Sequence, residues 1–154
     1  MNVVAAIRPD DWNFPLLVHA AGAMLLAGGV LTGASALAFA RGSVSMLRLG
    51  YFSLLVVGLP ALILMRIGAA WIYSKEGWDD LPDEASEPAW LGIGFLVGDL
   101  GGLLFLVSLV VGGIGFYRLR EGKGESLLKA TMVISLVLLV AYVVAVWAMA
   151  GKPD

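Results

Sequence analysis

The amino-acid sequence predicts an all-α polytopic membrane protein, a bundle of four transmembrane helices with the N-terminus and the C-terminus outside. Three observations carry that expectation. The chain is 60% hydrophobic and 14% charged, with a mean hydropathy of +0.90, against about 25% charged residues in an average soluble domain. Its apolar residues gather in four runs, each as long as the ~20 residues an α-helix needs to cross a hydrocarbon core of ~30 Å. Its Lys and Arg residues collect unequally in the connections.

The first run, about 14–40, carries no charge. Ala38-Phe39-Ala40 has the small-residue pattern of a signal-peptide cleavage site. The apolar stretch is too long for a signal's ~7–15-residue central region, and acidic Asp10 and Asp11 stand where basic residues belong, so a retained helix is expected. The second run, about 49–73, contains Pro60, which removes a backbone donor and crowds the preceding turn, so a kink is expected near Leu59. The third covers about 90–117 and the fourth about 127–150. All four form a single membrane domain, 1–154.

Orientation follows from the short loops. The first holds Arg41 and Arg48 without an acid, and the third holds Arg118, Arg120 and Lys123, with Lys129 just beyond. The second, 74–89, sets Lys75 against Glu76, Asp79, Asp80, Asp83, Glu84 and Glu87. The basic loops are therefore expected in the cytoplasm, and both termini outside. Trp12, Trp71, Trp78, Trp90 and Trp147 all fall near the outer ends of spans, as an aromatic belt at the headgroup layer requires.

Between helices in lipid, close approach through small residues has to supply packing energy. The first span offers Gly22, Gly28 and Gly29-x-x-x-Gly33. The third offers Gly94, Gly98 and Gly102 at four-residue spacing, with Gly101, Gly112, Gly113 and Gly115. These two spans form the expected central pair. The fourth lacks glycine over most of its length and is expected to present more surface to lipid.

Each span carries one polar side chain at a similar level: His19, Arg66, Asp99 and Tyr142. At 1.5 Å per residue, His19 lies ~8 Å below its outer helix end and the other three ~10–14 Å, which makes one outer-half layer. Arg and Asp each cost ~2.5–3.5 kcal/mol at a helix centre on insertion scales. An Arg66–Asp99 ion pair facing the bundle interior would offset that cost. Such a pair can fix helix register, or belong to a pocket for an anionic or quinone-like head group, a proton relay between His19 and Asp99, or a cofactor. His19 is a candidate axial ligand of haem b, with Met24, Met65 or Met149 as second ligand. Tyr142 is expected to hydrogen-bond within the layer.

Composition excludes much else. No cysteine is present and there is one histidine, so disulfides, thiolate sites and multi-imidazole metal sites within one chain are ruled out. Asp79, Asp80, Asp83, Glu84 and Glu87 offer hard oxygen ligands without the spacing of an EF-hand, and a solvated loop is expected. No basic groove for nucleic acid exists. Nucleophile-elbow, His-Glu-x-x-His and phosphate-loop motifs are all absent, so a non-enzyme is expected.

Leu17-Val18-His19-Ala20-Ala21-Gly22 with Gly28-Gly29, and the stretch 59–66 running on to Trp71-Ile72-Tyr73-Ser74-Lys75-Glu76-Gly77, resemble small four-helix bacterial integral membrane proteins of unassigned function. More distantly they resemble the membrane domain of copper-resistance D-type proteins. The resemblance spans the first half of the chain and implies a bacterial cytoplasmic-membrane protein. Three functional readings follow from the residues: a binding or accessory subunit with a homodimer or membrane-complex partner, a haem- or quinone-binding redox protein using His19, and a proton-coupled carrier using Asp99.

Overall fold

The computed structural model describes residues 13–77 and 88–151. Asp10, Asp11, Trp12, Trp78 and the acidic stretch 79–87 lie outside the described residues. Helix α1 spans Asn13–Ala38, α2 Val44–Lys75, α3 Ala89–Arg118 followed by a 3₁₀ turn Leu119–Glu121, and α4 Glu125–Gly151. All four are long and apolar enough to cross a membrane, and no strand occurs among the described residues. The protein is an integral membrane protein of four helices.

The second helix starts at Val44, earlier than the expected 49. Ser43, in an extended conformation, supplies the break that lets it begin there, and Arg48 is carried on the exposed side of its first turns. The reversal before it needs only 39–43, because Arg41 (φ 44°) and Gly42 (φ 83°) both take left-handed backbone. At the α3–α4 turn Gly124 (φ 100°) lies so close to the Gly115 carbonyl that a Cβ would sit 2.1 Å from its oxygen. Glycine is the only residue this approach admits. Alternation of helix direction places both of these turns at one end of the bundle, the basic end, and residues 13, 75, 89 and 151 at the other, the termini end.

Pro60 expresses itself one turn earlier than the expected kink near Leu59. Residues Ser53–Gly58 form a π-helical segment, and the Leu59 N–H donates to the Leu54 carbonyl, five residues back. A proline cannot supply the donor its i−4 carbonyl needs, and widening the preceding turn relieves the ring's crowding. Ser53 Oγ donates to the Gly29 carbonyl at 3.0 Å and ties this irregular segment to α1.

The expected central pair of first and third spans is corrected. Helix α1 packs chiefly on α2, and α3 on α4; α1 also contacts α4, so the first and third helices stand diagonally. The α1–α2 contact is backbone on backbone. A Cβ added at Gly22 would lie 2.4 Å from the Met65 nitrogen, one at Gly29 3.1 Å from the Gly58 nitrogen, and one at Gly68 2.5 Å from the His19 nitrogen. Of the glycines assigned to a first–third contact, Gly22, Gly29 and Gly33 serve a first–second contact, with Gly58 and Gly50 of α2 opposite the last two. The fourth span has the smallest buried share of the four, 22%, as its lack of glycine leads one to expect.

Helices α2 and α3 meet through long side chains instead. Tyr51 stacks on Phe116 with ring centroids 5.4 Å apart, Phe105 fills the space over Gly58, and Tyr73 meets Phe95 edge-on at 5.1 Å. In the basic half the axis is filled by Leu54, Phe105, Leu128 and Leu138, all buried. Toward the termini end Ala23, Ala27, Ala69, Gly94 and Gly98 stand among the larger residues, and the axis is left unfilled.

Candidate functional site

The unfilled part of the axis is a crevice lined from all four helices. Its deeper part, about 260 Å³, is walled by small residues (Ala23, Ala27, Ala69, Gly94 and Gly98) and by larger apolar ones such as Leu26, Phe95, Val97 and Leu139, with His19, Arg66 and Tyr142 among its lining residues. A second part, about 510 Å³, shares His19, Ala23, Ala27, Ala69, Val146 and Met149 with the first and continues past Ala20, Ile72 and Leu91 to Tyr73, Glu76 and Trp90 at the termini end. From Leu16 to Ala27 the helical rise alone makes it ~16 Å long.

The crevice also opens sideways. Met24, Val143 and Val146 line it and are 76%, 63% and 63% exposed, so its mouth lies on the α1–α4 side, where a bilayer would meet it. A cavity that is mostly apolar with a few convergent polar groups is the usual form of a small-molecule site.

His19, Arg66 and Tyr142 therefore come to one cavity, while Asp99 stands at its edge. The His19 ring is half-buried, and its Nδ1 lies 3.0 Å from the Met65 carbonyl oxygen. Because a carbonyl only accepts, Nδ1 carries the proton, and in the neutral ring Nε2 is left as an acceptor. That bond depends on the close α1–α2 approach at Gly22 and Gly68.

Arg66 Nη2 pairs with Asp99 Oδ1, joining α2 to α3 across their otherwise wide seam. Glycine at 98 makes room for the guanidinium: a Cβ there would be 2.8 Å from Arg66 Nη1. The side chains of this pair, expected to face the bundle interior, are 40% and 57% exposed. Since α2 leans on α1 and away from α3, the seam holding the pair stays open on one side. His19 and Asp99 share no hydrogen bond, so the structure contains no direct His19–Asp99 proton relay.

Tyr142 is buried, 8% exposed, yet its hydroxyl has no hydrogen-bond partner; among the described residues Ser135 Oγ is the other buried side-chain atom in that condition. A buried hydroxyl left unpaired costs ~1–3 kcal/mol. The expectation that Tyr142 hydrogen-bonds within the layer is corrected: neighbours around it, such as Leu138 and Gly101, offer it no acceptor.

Sequence reasoning missed the walls. Ala20, Ala23 and Ala27 lie on one face of α1, and Leu139, Tyr142, Val143 and Val146 on one face of α4. A small-residue stripe ending beside a histidine was the available signal. Met149, whose methyl lies over Gly94, is the one of Met24, Met65 and Met149 that borders both parts of the crevice. No cluster of three or more His, Cys, Asp or Glu suited to a metal ion occurs among the described residues.

The chain matches no family model, no curated protein and no solved structure.

Proposed function

We propose that this protein is a membrane-embedded binding subunit that takes a lipid-soluble ligand from the bilayer into its axial crevice. The carrying observation is the crevice itself, apolar along its walls, polar at His19 and Arg66, and open on a face that lipid would cover. Following the charge asymmetry of the loops, the site lies in the outer half of a bacterial cytoplasmic membrane, with both termini outside.

A test uses the full chain in nanodiscs with a diazirine-bearing long-chain alcohol as photoprobe. Cross-links are expected on peptides carrying Ala23 and Ala69. Ala23→Trp, which fills the crevice, should abolish them, whereas Leu103→Trp, at an exposed position away from the crevice, should not. Labelling confined to outward-facing positions in every variant would overturn the reading.

The anchoring of His19 supports a second reading, haem b. A metal-binding histidine usually donates its other ring N–H to a backbone carbonyl or carboxylate, as His19 does to Met65, and Met149 borders the same space. Expression with ample haem should then give a Soret band that His19→Ala removes; a colourless wild-type protein would exclude it.

A further inference from the structure

We infer that the outer side of the α2–α3 seam is where a second copy of this chain docks, and that the Arg66–Asp99 pair is the polar centre of that contact. Such a contact is independent of what the crevice binds.

The Asp99 side chain is 57% exposed, yet it lines neither part of the crevice. Its exposure is therefore on the outside of the bundle. Gly92, Leu96, Asp99, Leu103, Leu106 and Val110 follow one another along α3 at alternating spacings of four and three, and all six are exposed. That is the period on which one helix seats against another. Apart from Asp99 the stripe is apolar, and Ile63 on α2 is exposed as well. Asp99 lies ~15 Å of helical rise from Ala89, within the apolar length of its span.

A carboxylate has about four lone-pair sites and a guanidinium five N–H donors, more than the bond between Arg66 Nη2 and Asp99 Oδ1 uses. Acyl chains offer nothing to the remainder, whereas polar side chains on a neighbouring membrane helix do. A second copy in the same orientation carries an identical pair at the same depth. A two-fold axis along the membrane normal turns that pair end for end, so Arg66 of each copy faces Asp99 of the other and four charges alternate around the axis. An isologous contact needs only a self-complementary patch, and an ion pair in a membrane plane is one. In coiled coils a polar residue at a seam position likewise fixes register and partner number. Because the α2–α3 side lies opposite the α1–α4 side, the dimer leaves the mouth of the crevice uncovered.

The chain has no cysteine, so single-cysteine variants of the full protein in proteoliposomes report one position each. Leu103→Cys is expected to cross-link to a dimer with a short bis-maleimide, whereas Val140→Cys, exposed on α4, should stay monomeric. Native mass spectrometry of the wild type should show two chains. Adding Arg66→Met/Asp99→Ala should suppress the Leu103→Cys cross-link. Förster transfer between donor- and acceptor-tagged chains, followed across a dilution series in lipid, should then show dimer affinity weakened about tenfold or more.

Should the double variant fail to fold, Asp99→Asn, which keeps the side-chain shape and removes its charge, should weaken the dimer in the same assay. A wild type that is monomeric at every dilution, cross-linking through Val140→Cys as strong as through Leu103→Cys, or an affinity unchanged by these substitutions would overturn the proposal. A monomer that retains an anionic lipid, lost when the pair is removed, would overturn it in favour of a lipid head group. Retention of a different polypeptide in the same pair-dependent way would overturn it in favour of a heteromeric partner.

Discussion

Gly22→Ala is expected to destabilise the bundle by about 1–3 kcal/mol, the range of overpacking at a close contact. On an open helix face the same change stabilises by ~0.5–1 kcal/mol, because alanine loses less backbone freedom on ordering. The sign reverses here because the new methyl would meet the Met65 nitrogen at 2.4 Å and its Cα at 2.8 Å. These are backbone atoms that cannot rotate away, so the helices have to part. Gly28, one helical face away with nothing within 4 Å, is the internal control. Gly28→Ala should be neutral or stabilising in the same denaturation assay in detergent micelles. Equal effects at both positions would mean that α1 and α2 do not approach as closely as described. Parting these helices should also lengthen the His19–Met65 hydrogen bond and free the ring to turn, so Gly22→Ala is expected to reduce ligand binding as well as stability.

Asp99→Ala is expected to cost about 1–3 kcal/mol, since it leaves the Arg66 guanidinium without its partner in the outer half of the span, where an unpaired arginine costs less than the ~2.5–3.5 kcal/mol of a helix centre. Arg66→Met should cost a comparable amount by stranding the carboxylate. The double variant Arg66→Met/Asp99→Ala should recover most of the loss, since replacing a desolvated pair with apolar groups is often close to neutral. Strict additivity of the two single changes in reversible denaturation would show that the residues do not interact directly. The cycle also separates structure from function: a double variant that is stable but no longer takes up the photoprobe at Ala23 and Ala69 would give the pair a part in ligand binding.

Four helices and their approximate limits were legible in the sequence, because crossing a membrane is a one-dimensional constraint on length and hydropathy. The rise per residue and alternating direction put His19, Arg66, Asp99 and Tyr142 at a similar level, and the structure brings His19, Arg66 and Tyr142 to one cavity and pairs Arg66 with Asp99. The pairing of helices was not. Glycines mark a close approach without saying to which neighbour, and Gly29 and Gly33 fit an α3 partner on paper as well as the α2 partner they have. Pro60 announced an irregularity, but its form as a widened turn over Ser53–Gly58 depends on Ser53 and Gly58 finding α1 beside them.

The candidate site divides in the same way. The sequence by itself determined a membrane bundle with one titratable or polar side chain per helix in one layer, because insertion energetics act on each span separately. The tertiary structure alone decided that three of those side chains meet in a crevice while the fourth closes an ion pair at its edge. It also decided that His19 turns its Nδ1 to a backbone carbonyl and that the Tyr142 hydroxyl finds no acceptor. The physical reason is that a cavity is a property of facing surfaces. Ala20, Ala23 and Ala27 on one helix are unremarked small residues until Ala69, Gly94 and Gly98 stand opposite them, and only then does the missing volume become a place for something else.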